Sequence, residues 1–285
     1  TPRTEYVDVY LNNRFLGNYL MTQAVGEGKE KVDIDITKNE FLFEYEPFVG
    51  YSNPNCIATP TLGILLGFNE PEQPTAEQFE WLNLFLAEAE SALVSYDFER
   101  IAEYFDIDSF VDFYIVNELF KDVDFSTSST RFYLKKGRLY AGPIWDMDLS
   151  SGNVSEEAGY YGEYWNSNTS GDSTESFYCR KIWYRELFGC QKFGELVRKR
   201  YAELQPQIVN LTTDNELGLN RIDRLIEKYG KSFAANYEKA GWSVSYVYGE
   251  FESRYPAKTY EGNVEYLREW LIRRNAWLLH ELGIS

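Results

Sequence analysis

Three aspartates, Asp124, Asp146 and Asp148, bracket one short stretch whose pattern reads as a strand pair. Residues 131–134 alternate in strand fashion, Lys136-Gly137 makes a tight turn, and residues 138–141 return. One carboxylate therefore stands at the start of the pair and two stand just past its end. In that layout one acid can orient a hydroxyl nucleophile while the others hold a divalent metal. Asp146 and Asp148 occupy alternate positions, so on a continuing strand both point the same way; a metal rewards that, and repulsion otherwise penalises it. Spacing alone equally admits Asp124 as a turn residue in a Ser/Thr-rich loop, and the other two as a solvated strand end. Asp122 and Asp124 do not open a calcium loop, because the glycine and terminal glutamate of such a loop are missing. With His280 the single histidine of the chain, a histidine-based triad or zinc site is excluded.

The elements that must position these acids are legible in outline. Thr75 opens a helix, with Gln78 completing a capping box and Phe79, Leu82, Phe85, Leu86, Ala89 and Leu93 forming its apolar stripe. Asp108 is read as the cap of a second helix running through Phe110, Phe113, Tyr114, Val116, Asn117 and Phe120, which ends just before Asp124. Upstream, residues 6–11 and 15–22 alternate around Asn12-Asn13-Arg14, a hairpin signal. Further strands are expected at 32–36, 41–45 and 57–67. The polar stretch 150–176 reads as a loop or lid, and helical periodicity covers 192–209, 217–237 and 264–282. The expected class is α+β: one domain over 1–285, with a small β-rich lobe at 1–72 and a larger, mainly helical lobe at 73–285. The second lobe carries the acidic hairpin at 130–148, near the junction where ligands commonly bind.

Bulk properties narrow the function. A net charge of −17 argues against nucleic acid, whose phosphates require clustered Lys and Arg, yet a nucleotide accompanied by magnesium remains compatible. No apolar run is long enough to span a bilayer. The chain opens on Thr1 without a recognisable signal peptide, which reads as a trimmed internal domain. Of the three cysteines, Cys179 and Cys190 could bridge and leave Cys56 alone, or all three are buried thiols.

The block from Phe105 through Asn117-Glu118 to Asp124, followed by a tyrosine-rich strand, Gly142-Pro143-Ile144-Trp145-Asp146-Met147-Asp148 and Gly152-Asn153, resembles the CotH kinase family. Val9 to Leu20, with Gly17 and Tyr19, is similar to the family's opening hairpin, and Trp183, Phe193, Arg200-Tyr201 and Trp270 to Trp277 are similar to its helical tail. The resemblance implies an atypical kinase-like fold that transfers phosphate from ATP, with Mg2+ or Mn2+, to Ser or Thr of a protein. It implies a catalytic role for Asp124 and a metal-binding role for Asp146, supported by Asp148. Around the cofactor, Ser129 takes the place five residues after Asp124 where some members carry asparagine. Glu44 falls in a Leu-x-Glu segment shared by some members, where others read Tyr-Lys. Arg131, with Lys135, Lys136 and Arg138, supplies positive charge that can screen phosphates or simply decorate an exposed strand. Relatives often read Asn at Asp122 and Glu at Gln23. The family's habit implies a secreted or surface-associated bacterial location, spore coats included. A second reading keeps the fold as a non-catalytic module that recognises a protein or polysaccharide, with the aromatic loop at 159–166 as its platform.

Overall fold

The computed structural model describes residues 1–47, 55–122, 124–125, 129–153, 173–174, 182–242 and 259–284. It is an α+β fold. Strands β1 (Thr4–Leu11) and β2 (Arg14–Thr22) form the opening antiparallel hairpin. Asn12 and Asn13 both take left-handed conformations, which suits a two-residue turn matched to the twist of its strands. The hairpin docks on a distant helix, α7 (Arg221–Glu238), through Tyr6 against Tyr229 and Phe233 and through Asn18 N–H donating to Asn236 Oδ1.

Five further strands make the main sheet: β3 (Phe41–Tyr45), β4 (Cys56–Ala58), β5 (Leu65–Glu70), β6 (Arg131–Lys135) and β7 (Arg138–Ala141), in the order β4-β5-β3-β6-β7. This sheet straddles residue 72, since β6 and β7 come from beyond it. The acidic hairpin is thus the sheet's closing edge, continuous with strands of the proposed first lobe. Register explains why: Phe41 and Phe43 stand opposite Leu134 and Phe132, so one face buries four large apolar side chains at once.

That face packs against α1 (Ala76–Val94), α2 (Phe98–Tyr104) and α3 (Ile107–Phe120), with α4 (Tyr184–Gly189) and α5 (Gln191–Glu203) behind them. Helices α6 (Gln205–Val209) and α8 (Tyr260–Glu281) complete the helical part. Phe105, Phe110, Phe113, Phe132, Trp183 and Tyr184 interlock edge-to-face and tilted at the centre, which accounts for much of the aromatic content.

Several local expectations change. The segment 32–36 is not a strand: Val32 makes a lone bridge to Glu27, Asp35 caps a short 3-10 turn, and Val32 and Ile34 instead cover Leu42. The span 57–67 divides into β4 and the start of β5, joined through a turn. Helix α3 is capped by Asp106, whose carboxylate accepts from Ser109 N at 3.0 Å. Phe105 is held extended beside Leu139, so the helix starts at Ile107, one residue before Asp108, which lies in its first turn. The long periodic tract at 192–209 breaks between α5 and α6, where Pro206 stands in the first turn of the second helix. Cys56 and Cys190 are free thiols. Cys179, most of the polar loop and the aromatic platform at 159–166 lie outside the described residues. No described helix is long and apolar enough to cross a membrane.

Candidate active site

Helix α3 stops at Lys121, which turns left-handed at φ 50°, and the chain leaves towards Asp124. Asp122 is almost fully buried; its N–H donates to Asn117 O, and its carboxylate accepts from Asp124 N at 3.2 Å. Phe125, 1% exposed, packs edge-on against Phe113 and Tyr184. Asp124 is therefore fixed between a local Asx-type bond on one side and an aromatic anchor on the other.

The acids after β7 are not on a strand. Asp146 is left-handed (φ 60°, ψ 51°), a conformation aspartate tolerates better than most residues, and it opens the 3-10 turn Met147–Leu149. The alternation expected for Asp146 and Asp148 is lost, because the chain turns at Asp146 instead of running on as a strand. Ser151 N–H donates to Phe120 O at 2.6 Å, and the Asn153 amide donates to Asp148 O at 2.6 Å, tying the turn to the end of α3. Gly152 sits at φ 81°, and a Cβ there would meet Tyr266 Oη at 2.6 Å and Trp270 Nε1 at 2.7 Å. The Gly-Asn of the motif is thus a close approach of backbone to α8.

Four carboxyls now share one field. Asp122 is pushed well above its ordinary range by burial first, then by Asp124, with Asp148 and Asp146 adding to it. Asp124 is raised to about 6 by burial and by the charges of Asp148 and Asp146. Asp148 is raised by burial and by Asp146. Clustered like charges of this kind are common at functional sites. Among the described residues no three His, Cys, Asp or Glu side chains form a ready-made metal cage. Asp146 and Asp148 nonetheless offer hard oxygen donors side by side, and magnesium needs only one or two carboxylates when phosphates and water complete its shell.

The remaining sequence candidates fall beside this group. Ser129, left-handed at φ 51°, donates its hydroxyl to Asp146 Oδ2 at 3.0 Å. Arg131 stands directly opposite Glu44 on β3, and the two pair at 2.8 Å with side chains only 12% and 17% exposed. The guanidinium also lies over the Trp145 ring, 5.2 Å from its centroid. The other hairpin cations do not join them: Lys135 pairs with Asp33 at the far end of β6, and Arg138 is exposed beside the turn. Gln23 closes the opening hairpin instead, where its side-chain oxygen accepts from Arg3 N.

A family model described as CotH kinase protein matches residues 1–278. The chain belongs to this family. Membership makes it a kinase-like domain, for which ATP and a divalent metal are the suggested cofactors, and links it to spore-coat proteins and hence to surfaces. No curated protein matches the chain. Asp122, which the sequence analysis named only as a departure from the family pattern, lies beside this group and is buried. Where relatives carry asparagine, this chain has a carboxyl that burial drives towards its neutral form, close in shape and hydrogen bonding to the amide.

Proposed function

We propose that this domain transfers the terminal phosphoryl group of ATP to a serine or threonine hydroxyl of a secreted or surface protein. Asp124 orients that hydroxyl; Asp146, backed by Asp148, holds Mg2+ or Mn2+. The observation supporting this most directly is the gathering of Asp122, Asp124 and Asp148, each raised by burial and by neighbouring carboxyls that include Asp146, from the two loops that the Ser129–Asp146 bond joins. Clustered carboxyls of this kind suit a cation site.

Phosphoryl transfer asks the protein mainly for positioning and charge stabilisation. A bound divalent ion would offset the charge of the phosphate oxygens. Asp124, titrating near 6, is suited to accept the hydroxyl proton close to neutral pH. Asp122 holds the Asp124 backbone, and Ser129 fixes one Asp146 oxygen.

One observation favours the alternative of a non-catalytic module. The Ser129 hydroxyl already engages Asp146 at the place where some members carry asparagine. Labelled ATP with magnesium or manganese, given to wild type, Asp124→Ala and Asp146→Ala beside an acceptor protein, separates the readings. Incorporation lost in both variants is the expected result. Absence of incorporation in wild type under every metal, with tight glycan or protein binding, would move the domain to the second reading.

A further inference from the structure

Protein kinase chemistry needs a cation on the triphosphate, and neither β3 nor any neighbouring strand places a lysine near the acid group. The geometry points to Arg131 as the phosphate-binding cation of this domain, held by Glu44 and Trp145, with the ligand's phosphate oxygens meeting its unpaired Nε and Nη1 donors. This rests on the phosphotransfer reading and assigns the part that reading lacks.

Three observations carry it. First, Arg131 spends only Nη2 on Glu44, while Nε and Nη1 are shielded from water and have no hydrogen-bond partner. Buried donors without acceptors are costly and rare, and charged guanidinium N–H groups suit phosphate oxygens. Second, the side chain is oriented from two sides. Glu44 fixes the far nitrogen across the sheet, and Trp145 supplies a platform beneath the plane. Third, Arg131 is tied to the metal-ligand candidate at both flanks. Ser129, two residues before it, bonds to Asp146, and Trp145 is the residue preceding Asp146.

The surrounding sheet supports an occupant on this side. Arg131, Glu44, Gly67 and Cys56 form one cross-strand row on the face opposite the aromatic core. A Cβ at Gly67 would meet Glu46 Cγ at 2.8 Å, so the glycine lets Glu46 lie flat over the row beside Glu44. Burial and the charge of Glu44 push the Glu46 carboxyl up, and Arg131 opposes the shift. Because Nε and Nη1 are covered, binding must turn the outer part of the side chain with the Glu44 bond as its pivot.

The test is calorimetric binding of ATP, ADP, AMP and adenosine in magnesium, with magnesium tripolyphosphate as a base-free probe. Wild type is compared with Arg131→Met, Arg131→Lys and Glu44→Gln, each first checked for a cooperative thermal transition. In wild type the preference for ATP over adenosine should be large. In Arg131→Met that preference should fall by about tenfold or more, with adenosine affinity unchanged. Arg131→Lys keeps the Glu44 pairing charge but not the Nε and Nη1 donors, so it should lose a similar share even if the methionine variant does not fold. Glu44→Gln should weaken ATP without altering the adenosine value. An ATP-to-adenosine ratio preserved in Arg131→Lys and Arg131→Met overturns the assignment. Tripolyphosphate binding that depends on Arg131 while ATP fails to bind would uphold the phosphate site and sink the ATP reading. Failure of wild type to bind any of these probes would sink both.

Discussion

The Ser129 hydroxyl donates to Asp146 Oδ2 at 3.0 Å, and that bond joins the loop following α3 to the turn following β7. The two segments are 17 positions apart, with a hairpin of the main sheet between them. Because β6 and β7 are antiparallel, the start of one strand and the end of the other come to the same sheet end. The hairpin thereby converts a sequence separation into a spatial contact and sets Asp124 and Asp146 on one side of it.

Removing that hydroxyl should loosen the Asp146 carboxylate without disturbing the core, since Ser129 is only part-buried. Ser129→Ala is expected to weaken magnesium-dependent nucleotide binding by about tenfold, as losses of ligand-orienting hydrogen bonds commonly do. The thermal midpoint should move by no more than about 2 °C. Calorimetry of both variants checks this. Tighter binding in the alanine variant would mean that the hydroxyl blocks the carboxylate rather than aligning it.

The acid group also makes the metal-free protein sensitive to pH. Asp124 titrates near 6 in the fold, against an ordinary 3.8, so between those values the folded chain holds a proton that the unfolded chain has lost. Its contribution destabilises the fold above pH 6 and vanishes as pH falls below about 4. Asp122 and Asp148 are shifted in the same direction. Asp33, bonded to Lys135, and Asp35, bonded to Lys38, are shifted downward and act oppositely at the acid end. The informative quantity is therefore the difference between wild type and Asp124→Asn. Urea titrations in chelator should show the variant gaining about 1–2 kcal/mol over wild type at pH 7, discounted for partial exposure, and nothing at pH 4. A difference independent of pH would mean that burial and the charges of Asp148 and Asp146 do not raise the Asp124 carboxyl.

The sequence made the hairpins, the capping box at Thr75 and the acid-bearing motif legible because each rests on local chemistry. Turn residues, alternation and a cap need only neighbours a few positions away. What it hid was set by long-range pairing. Nothing near Arg131 announces Glu44, 87 positions upstream, because the partner is fixed by the register of β3 against β6. Asp146 looked like a strand residue because Pro143-Ile144-Trp145 continues an apolar run, whereas its left-handed backbone depends on the docking of Ser151 and Gly152 against α3 and α8. The Asp106 cap was missed in favour of Asp108 because both acids precede the same apolar stripe, and only the Phe105–Leu139 bridge decides between them.

Gly152 offers a sharper probe of that docking. An alanine would combine a left-handed backbone with contacts of 2.6–2.8 Å to Tyr266 and Trp270, and Trp270 is buried against the core. Gly152→Ala should cost about 2–3 kcal/mol in urea unfolding and should impair metal-dependent binding more than its stability loss explains. Full binding in a folded Gly152→Ala protein would show that the turn carrying Asp146 is not anchored through this contact.

The end of α3 is held from the C-terminal helix by a buried ion pair, which predicts a non-additive mutant cycle. Arg274 Nη2 donates to Glu118 Oε1 at 2.7 Å, with side chains 0% and 3% exposed. Its Nε and Nη2 also donate to Glu118 O, and Nη1 donates to Ser173 O. Burial pulls the guanidinium downward from its usual range, which Glu118 opposes. Arg274→Met removes the guanidinium from a buried carboxylate and should cost about 3–5 kcal/mol. Glu118→Leu alone removes the counter-charge from the buried guanidinium and should cost a similar amount. Combining the two removes both charges, so the double variant should recover most of one loss rather than add the two. The half-exposed pair Arg200–Asp112, also at 2.7 Å, should be worth no more than about 1 kcal/mol in the same cycle. Glu118 lies one helical turn before Asp122, so the double variant, though stable, should bind nucleotide more weakly as the Asp124 loop loses its fixed origin. Additive losses in urea would refute the buried-pair account. Wild-type nucleotide affinity in the double variant would show that α8 does not position the acid group.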